Sequence, residues 1–170
     1  MNILKLELTH FGKFHLKTIT FTSGLNIVYG KNEAGKSTIH AFVRSMLFGI
    51  PDTEEGNERY SHYLPWETPH DFCGRMWIKK DDKVYRIERN FLRPQPTVRV
   101  FDDETGESLQ PAKQHLRQIL SGLTETSYLN TICIEQLKSA TDPQLAEELE
   151  DMADNASQSK NLNIDVKQAK

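Results

Sequence analysis

The chain has 170 residues, 37% of them apolar and 26% charged, with a formal charge of −3. That suits one ordinary domain with a modest core and excludes a bulk polycation that would coat nucleic acid. Two cysteines exclude a disulfide framework, and no apolar run approaches the ~20 residues that span a bilayer, so a soluble cytoplasmic chain with no membrane partner is expected.

Residues 2–9 alternate, with Ile3, Leu4, Leu6 and Leu8 between Lys5, Glu7 and Thr9, which predicts a half-buried strand. His10-Phe11-Gly12-Lys13 turns the chain into a second short strand over 16–21. Thr22-Ser23-Gly24 is a further turn. Leu25-Asn26-Ile27-Val28-Tyr29 predicts a third strand, apolar enough to lie inside a sheet. From Lys36 the period changes: Ile39, Phe42, Val43, Met46 and Leu47 share one face of a helix that Gly49 and Pro51 stop.

Residues 51–72 are acidic, carry prolines and lack periodicity, and predict a long loop. Residues 73–101 return to β-structure. Met76-Trp77-Ile78 leads into the turn Lys80-Asp81-Asp82-Lys83, and the chain returns over 84–91. Another strand runs over 97–101, followed by the turn Asp103-Glu104-Thr105-Gly106. A helix is predicted over 111–121 with Gly122 as its cap, then a short helix over 124–130 opened by Thr124 or Thr126. Thr131-Ile132-Cys133-Ile134 predicts a strand. From Pro143 the chain is acidic and helical, with Leu145, Leu149 and Met152 giving about two turns of stripe.

The most informative stretch is Gly30-Lys31-Asn32-Glu33-Ala34-Gly35-Lys36-Ser37. It satisfies G-x-x-x-x-G-K-[ST] at every fixed position and sits between a predicted buried strand and an amphipathic helix. The glycines allow a tight loop whose N–H groups converge on phosphates, and the helix N-terminus adds partial positive charge. Lys36 would reach the β- and γ-phosphates of ATP, and the Ser37 hydroxyl would ligate Mg²⁺. Asn32, Glu33, Ala34 and Thr38 complete the candidate nucleotide-binding set.

The usual companions are missing. The best candidate for an apolar strand ending in Asp is Val98-Arg99-Val100-Phe101-Asp102-Asp103, but Arg99 interrupts it and Thr105-Gly106 follows, so a turn is the better reading. Leu120-Ser121-Gly122 closes a helix rather than opening one. The alternative is a self-contained small P-loop NTPase or kinase that uses Asp102 or Asp103 for magnesium. The six histidines show no zinc-ligand spacing.

These motifs, with Met1-Asn2-Ile3, Phe11-Gly12-Lys13-Phe14, Met46-Leu47-Phe48-Gly49-Ile50, Arg59-Tyr60 and Pro65-Trp66, resemble the N-terminal lobe of the SMC, RecF and SbcC group of ABC-type ATPases. Its YhaN-like branch is the most similar. The resemblance covers residues 1 to about 140. It implies an α/β P-loop fold with mixed β-sheets around the helix that follows the phosphate loop. Residues 1–142 would form the lobe, and 143–170 the root of a coiled coil or a tail. It implies that a C-terminal lobe of the same protein supplies the signature and the Asp-Glu strand. Heads would dimerise around ATP, act on DNA in repair or end processing, and work beside a metal-dependent nuclease. Hydrolysis by this stretch alone is not expected.

The resemblance also implies a Q-loop at Gln136, after Ile132-Cys133-Ile134-Glu135, touching Mg²⁺ and the attacking water. Many members of the group carry an arginine where this chain has Gly12, and Lys13 is a candidate substitute cation. Arg59 reads equally as a phosphate contact or a surface residue. Tyr63 and Trp66 read as adenine-stacking rings or as loop anchors. From Arg75 to Phe101, eight basic residues (Arg75, Lys79, Lys80, Lys83, Arg86, Arg89, Arg93, Arg99) stand against three acidic ones. They read as a solvated hairpin or as a contact to DNA phosphates.

Overall fold

Alternating side chains build one six-stranded sheet. The computed structural model describes residues 1–133. The strands are β1 (Asn2–Phe11), β2 (Phe14–Thr20), β3 (Cys73–Lys80), β4 (Lys83–Asn90), β5 (Thr97–Asp102) and β6 (Ser108–Leu109). Their spatial order is β2-β1-β3-β4-β5-β6, and every pairing is antiparallel. The helices are α1 (Lys36–Phe48), α2 (Glu54–Tyr63), α3 (Ala112–Ile119) and α4 (Glu125–Ser127). The chain divides into two units, Met1–Gly122 and Leu123–Lys170. No helix of the described residues is long and apolar enough to cross a membrane.

Register turns the sequence pattern into three rows across β1, β3, β4 and β5. Leu6, Met76, Ile87 and Val100 pair in line and are fully buried, the sheet's contribution to the core. On the opposite side of the pleat, Glu7, Arg75, Glu88 and Arg99 form a row of alternating charge with contacts of 3.6, 3.3 and 3.2 Å. Beside it, Lys5 lies over Trp77 at 4.3 Å and Arg86 over Phe101 at 4.7 Å, an alternation of cation and aromatic ring.

α1 covers the buried row. It buries Ala41, Phe42, Ser45, Met46 and Leu47, while the predicted Ile39 and Val43 are only half-buried. Phe42 fits because β3 carries Gly74 beneath it: a Cβ there would stand 2.4 Å from the Phe42 ring. Phe11 closes the core, with ring centroids 5.1 to 5.6 Å from Phe42, Tyr63, Phe72 and Phe91. Arg89 anchors the far end of α1, donating to Met46 O at 2.7 Å and Leu47 O at 3.1 Å. Burial pulls its guanidinium down to about 10, and the two carbonyls at the negative end of the helix offset that desolvation.

Three expectations need correction. The sheet is wholly antiparallel among the described residues, not mixed, because Leu25–Tyr29 joins no strand. The loop predicted over 51–72 contains α2, which Thr53 opens by accepting from Gly56 N at 3.2 Å, with Glu54 and Glu55 in its first turn. Its buried residues are Gly56 and Arg59, so no apolar stripe announces it. Thr131 and Ile132 are not a strand; they end the π-helical turn Tyr128–Ile132 that continues α4. The turns and caps follow their composition. Asp81 and Asp82 take φ of 49° and 63° in the β3–β4 hairpin, and Gly122 closes α3 through Arg117 O. Gln136, the 142/143 boundary and the coiled-coil stretch lie outside the described residues.

Candidate functional site

The phosphate loop leads directly into α1, with Gly35 as the cap residue at φ 98°, a left-handed conformation that favours glycine. No side chain caps this end, so the first N–H groups of α1, which have no intrahelical acceptor, remain for an anion. Lys36 folds back over the loop, its Nζ donating to Gly30 O at 2.7 Å and Lys31 O at 2.8 Å. Asn32, Glu33, Ala34, Lys36 and Ser37 are exposed, and Thr38 is half-buried. An open helix end, a lysine held at its mouth and an exposed hydroxyl are the donor set that a nucleotide phosphate with Mg²⁺ requires.

The β1–β2 turn reaches the same loop. Lys13 Nζ donates to Glu33 O. The Phe14 ring and the Lys13 stem pack on Gly35, where a Cβ would meet them at 2.5 and 3.3 Å. Gly12, at φ 56°, has room for no side chain: a Cβ would stand 2.9 Å from Thr38 Cγ2 and 3.4 Å from the Tyr63 ring. The Gly12 N–H donates to Tyr63 O at 2.7 Å. A side chain at position 12 would be strained and would push Thr38 aside, whereas Lys13 already lies on the loop. Sequence reasoning missed this corner and the packing of Phe14, because contacts among residues 12, 38 and 63 leave no local pattern.

The remaining candidates lie elsewhere. Arg59 is buried and donates to Gly49 O at 3.2 Å, so it anchors α2 instead of reaching a phosphate. Tyr63 stacks on Phe11 at 5.3 Å, an anchoring role, whereas Trp66 is 90% exposed. Asp102 accepts from Glu104 N and Thr105 N within its own turn, and Asp103 accepts from Trp77 Nε1 at 3.1 Å. β5 stands three strand spacings, about 14 Å, from β1.

The eight basic residues of 75–101 do not form a free stripe. Arg75, Arg86 and Arg99 surround Glu88 at 3.2 to 3.4 Å. Arg89 holds α1, Lys80 bonds Gln118 O and Ser121 Oγ, and Arg93 reaches Asn57 and Pro51 O and lies over Tyr60. Lys79 and Lys83 face Asp82 and Asp102. The solvated hairpin describes this segment better than a DNA contact does.

An antiparallel sheet, a helix laid across it and a glycine-rich loop that leads into the helix N-terminus are consistent with a P-loop domain of the ATPase type. More particularly, the chain belongs to the AAA domain family, which matches residues 1–156. It is 43% identical over 56 residues to the uncharacterized protein YhaN of Bacillus subtilis (strain 168), covering 32% of this chain. It is 26% identical over 146 residues, 80% of this chain, to the DNA double-strand break repair Rad50 ATPase of Thermococcus kodakarensis. The matched stretches are 6% and 15% of those two relatives. The chain therefore corresponds to the N-terminal region of an SMC/RecF/SbcC-like ATPase.

Proposed function

We propose that this chain supplies the nucleotide-binding half of an SMC- or Rad50-like ATPase head, and that a C-terminal lobe of the same protein completes the site. The observation that carries this reading is the segment before the phosphate loop. Leu25, Ile27, Val28 and Tyr29 are 86%, 79%, 46% and 95% exposed, although their pattern is that of a sheet interior. Asn26 is tied back, bonding Thr22 and Gly24. Apolar residues of this kind, on a segment that joins no strand among the described residues, suit strands supplied from outside those residues.

In this reading Lys36 leaves the Gly30 and Lys31 carbonyls for the β- and γ-phosphates of ATP, and the loop N–H groups and Thr38 hold the chain around them. Lys13 adds a second cation from the β1–β2 turn. Ser37 and Gln136 would hold Mg²⁺, which when bound neutralises charge on the phosphate oxygens. Gln136 would also orient the attacking water. The carboxylate that activates that water comes from the other lobe. Two such heads would close on ATP between them, and opening would follow hydrolysis. The likeness to the Rad50 ATPase, a DNA double-strand break repair protein, supports DNA repair as the setting; a metal-dependent nuclease partner is carried by the resemblance to the SbcC group alone.

Amide hydrogen exchange tests the completed sheet. Leu25–Tyr29 is expected to exchange rapidly in residues 1–170 alone and to become protected when the C-terminal lobe is supplied. Equally rapid exchange in both would contradict the proposal.

A further inference from the structure

His10 and His15 share no ligand spacing in the sequence, yet the β1–β2 register sets them directly opposite each other. Their ring centroids stand 4.6 Å apart, with the planes tilted by 56°. The next rung toward the turn pairs Phe11 with Phe14. Phe11 is fully buried in the core, so strand alternation puts the two histidines on the other face of the pleat. His15 is exposed and His10 half-buried, so solvent reaches the pair from the β2 side.

The Nδ1 atom of His10 is enclosed and has no hydrogen-bond partner. A buried imidazole nitrogen left unpaired carries a desolvation cost that a ligand would offset. Leu16, next after His15, takes φ 49°, a left-handed conformation that is costly for a side chain of its size, so the strand is strained beside the pair.

Two imidazoles in contact, one with an orphan nitrogen, are the donor set of a borderline divalent metal ion. Zn²⁺ takes histidine nitrogens at about 2.0–2.1 Å, which puts two of them about 3.3 Å apart around a tetrahedral centre. Rings with centroids 4.6 Å apart are close enough to meet that spacing by rotation about their own side-chain bonds. Mg²⁺ prefers oxygen ligands and is not expected to compete. No group of three His, Cys, Asp or Glu converges among the described residues, so water fills the remaining positions on the ion.

We propose that His10 and His15 form a two-imidazole site for a transition-metal cation of the zinc type on the outer face of the β1–β2 hairpin. The site uses no residue of the phosphate loop and stands whether or not that loop binds ATP. Its place gives it consequence. One rung away, the turn puts Lys13 on Glu33 O and Phe14 on Gly35, so a bound ion fastens together the two strands that carry this turn.

The test is a Zn²⁺ titration of the full-length protein, stripped of metal and held in excess Mg²⁺. The variants are His15→Ala, His10→Ala and, as a control at an exposed histidine outside the pair, His70→Ala. The parent and His70→Ala are expected to bind one more equivalent of Zn²⁺ than either pair variant, or to bind that equivalent at least about ten-fold more tightly. Zn²⁺ is also expected to raise the melting temperature of the parent more than that of His15→Ala. Because His15 is exposed, His15→Ala should melt with the parent when no metal is present, which separates loss of a ligand from loss of the fold. The same Zn²⁺ stoichiometry and affinity in His15→Ala as in the parent overturns the proposal. An equal loss in His70→Ala also overturns it, since the ion would then be held by scattered surface histidines.

Discussion

Lys36→Ala is expected to lower the ATP affinity of the full-length protein by about 100-fold, with little change in melting temperature. The asymmetry follows from where Lys36 sits. It is exposed, and its present partners are the carbonyls of Gly30 and Lys31, at 2.7 and 2.8 Å. Two solvent-facing hydrogen bonds contribute at most about 1 kcal/mol each to folding. In the complex the same ammonium faces phosphate oxygens, where charge-assisted bonds are worth about 1.5–3 kcal/mol each. Losing one to two of them corresponds to roughly 10²-fold in affinity. Calorimetric titration reads the affinity and a thermal melt the stability. A variant that binds ATP as tightly as the parent would contradict the assignment of Lys36.

Phe11→Ala is expected to cost about 3–5 kcal/mol of stability and to weaken nucleotide binding as well. Phe11 is fully buried and is the one ring that touches Phe42 of α1, Tyr63 of α2, Phe72 and Phe91. Its removal leaves a cavity at the junction of three elements, and edge-to-face pairs are lost with it. Against a typical domain stability of about 5–15 kcal/mol this is a large share. It should appear as a fall of about 10–20 °C in melting temperature and a matching shift of the urea midpoint. The effect on binding arises because Phe11 is followed directly by Gly12 and Lys13, the turn that lies on the phosphate loop. A loss below about 1 kcal/mol would mean that the ring cluster is not the core.

Much of this fold is legible in the sequence because its signals are local. Alternation finds β1, β3, β4 and β5, and the buried row Leu6, Met76, Ile87 and Val100 follows from register. Asp-Asp and Gly caps mark turns at positions where backbone conformation is demanding. The phosphate loop is legible because its chemistry fixes both residue type and spacing. What escaped has a physical reason in each case. α2 buries a glycine and an arginine, so hydrophobic periodicity is blind to it; its signal was Thr53 followed by Glu54 and Glu55. Leu25–Tyr29 has the composition of a buried strand, but composition does not say where the partners come from. The basic excess of 75–101 suggested a surface for phosphates, whereas Glu88, the α1 C-terminus and the turn aspartates absorb it.

The candidate site divides in the same way. Gly30, Lys36 and Ser37 are readable from a motif, while the fit of Gly12 between Thr38 and Tyr63 exists only after folding.

Steady-state ATP turnover is the most direct measure of whether the site is half or whole. Residues 1–170 alone are expected to show none above background, and turnover is expected to appear when the C-terminal lobe is added and to vanish again with Lys36→Ala. Sustained turnover by residues 1–170 alone, abolished by Asp103→Asn, would contradict the account and make the chain a self-contained NTPase.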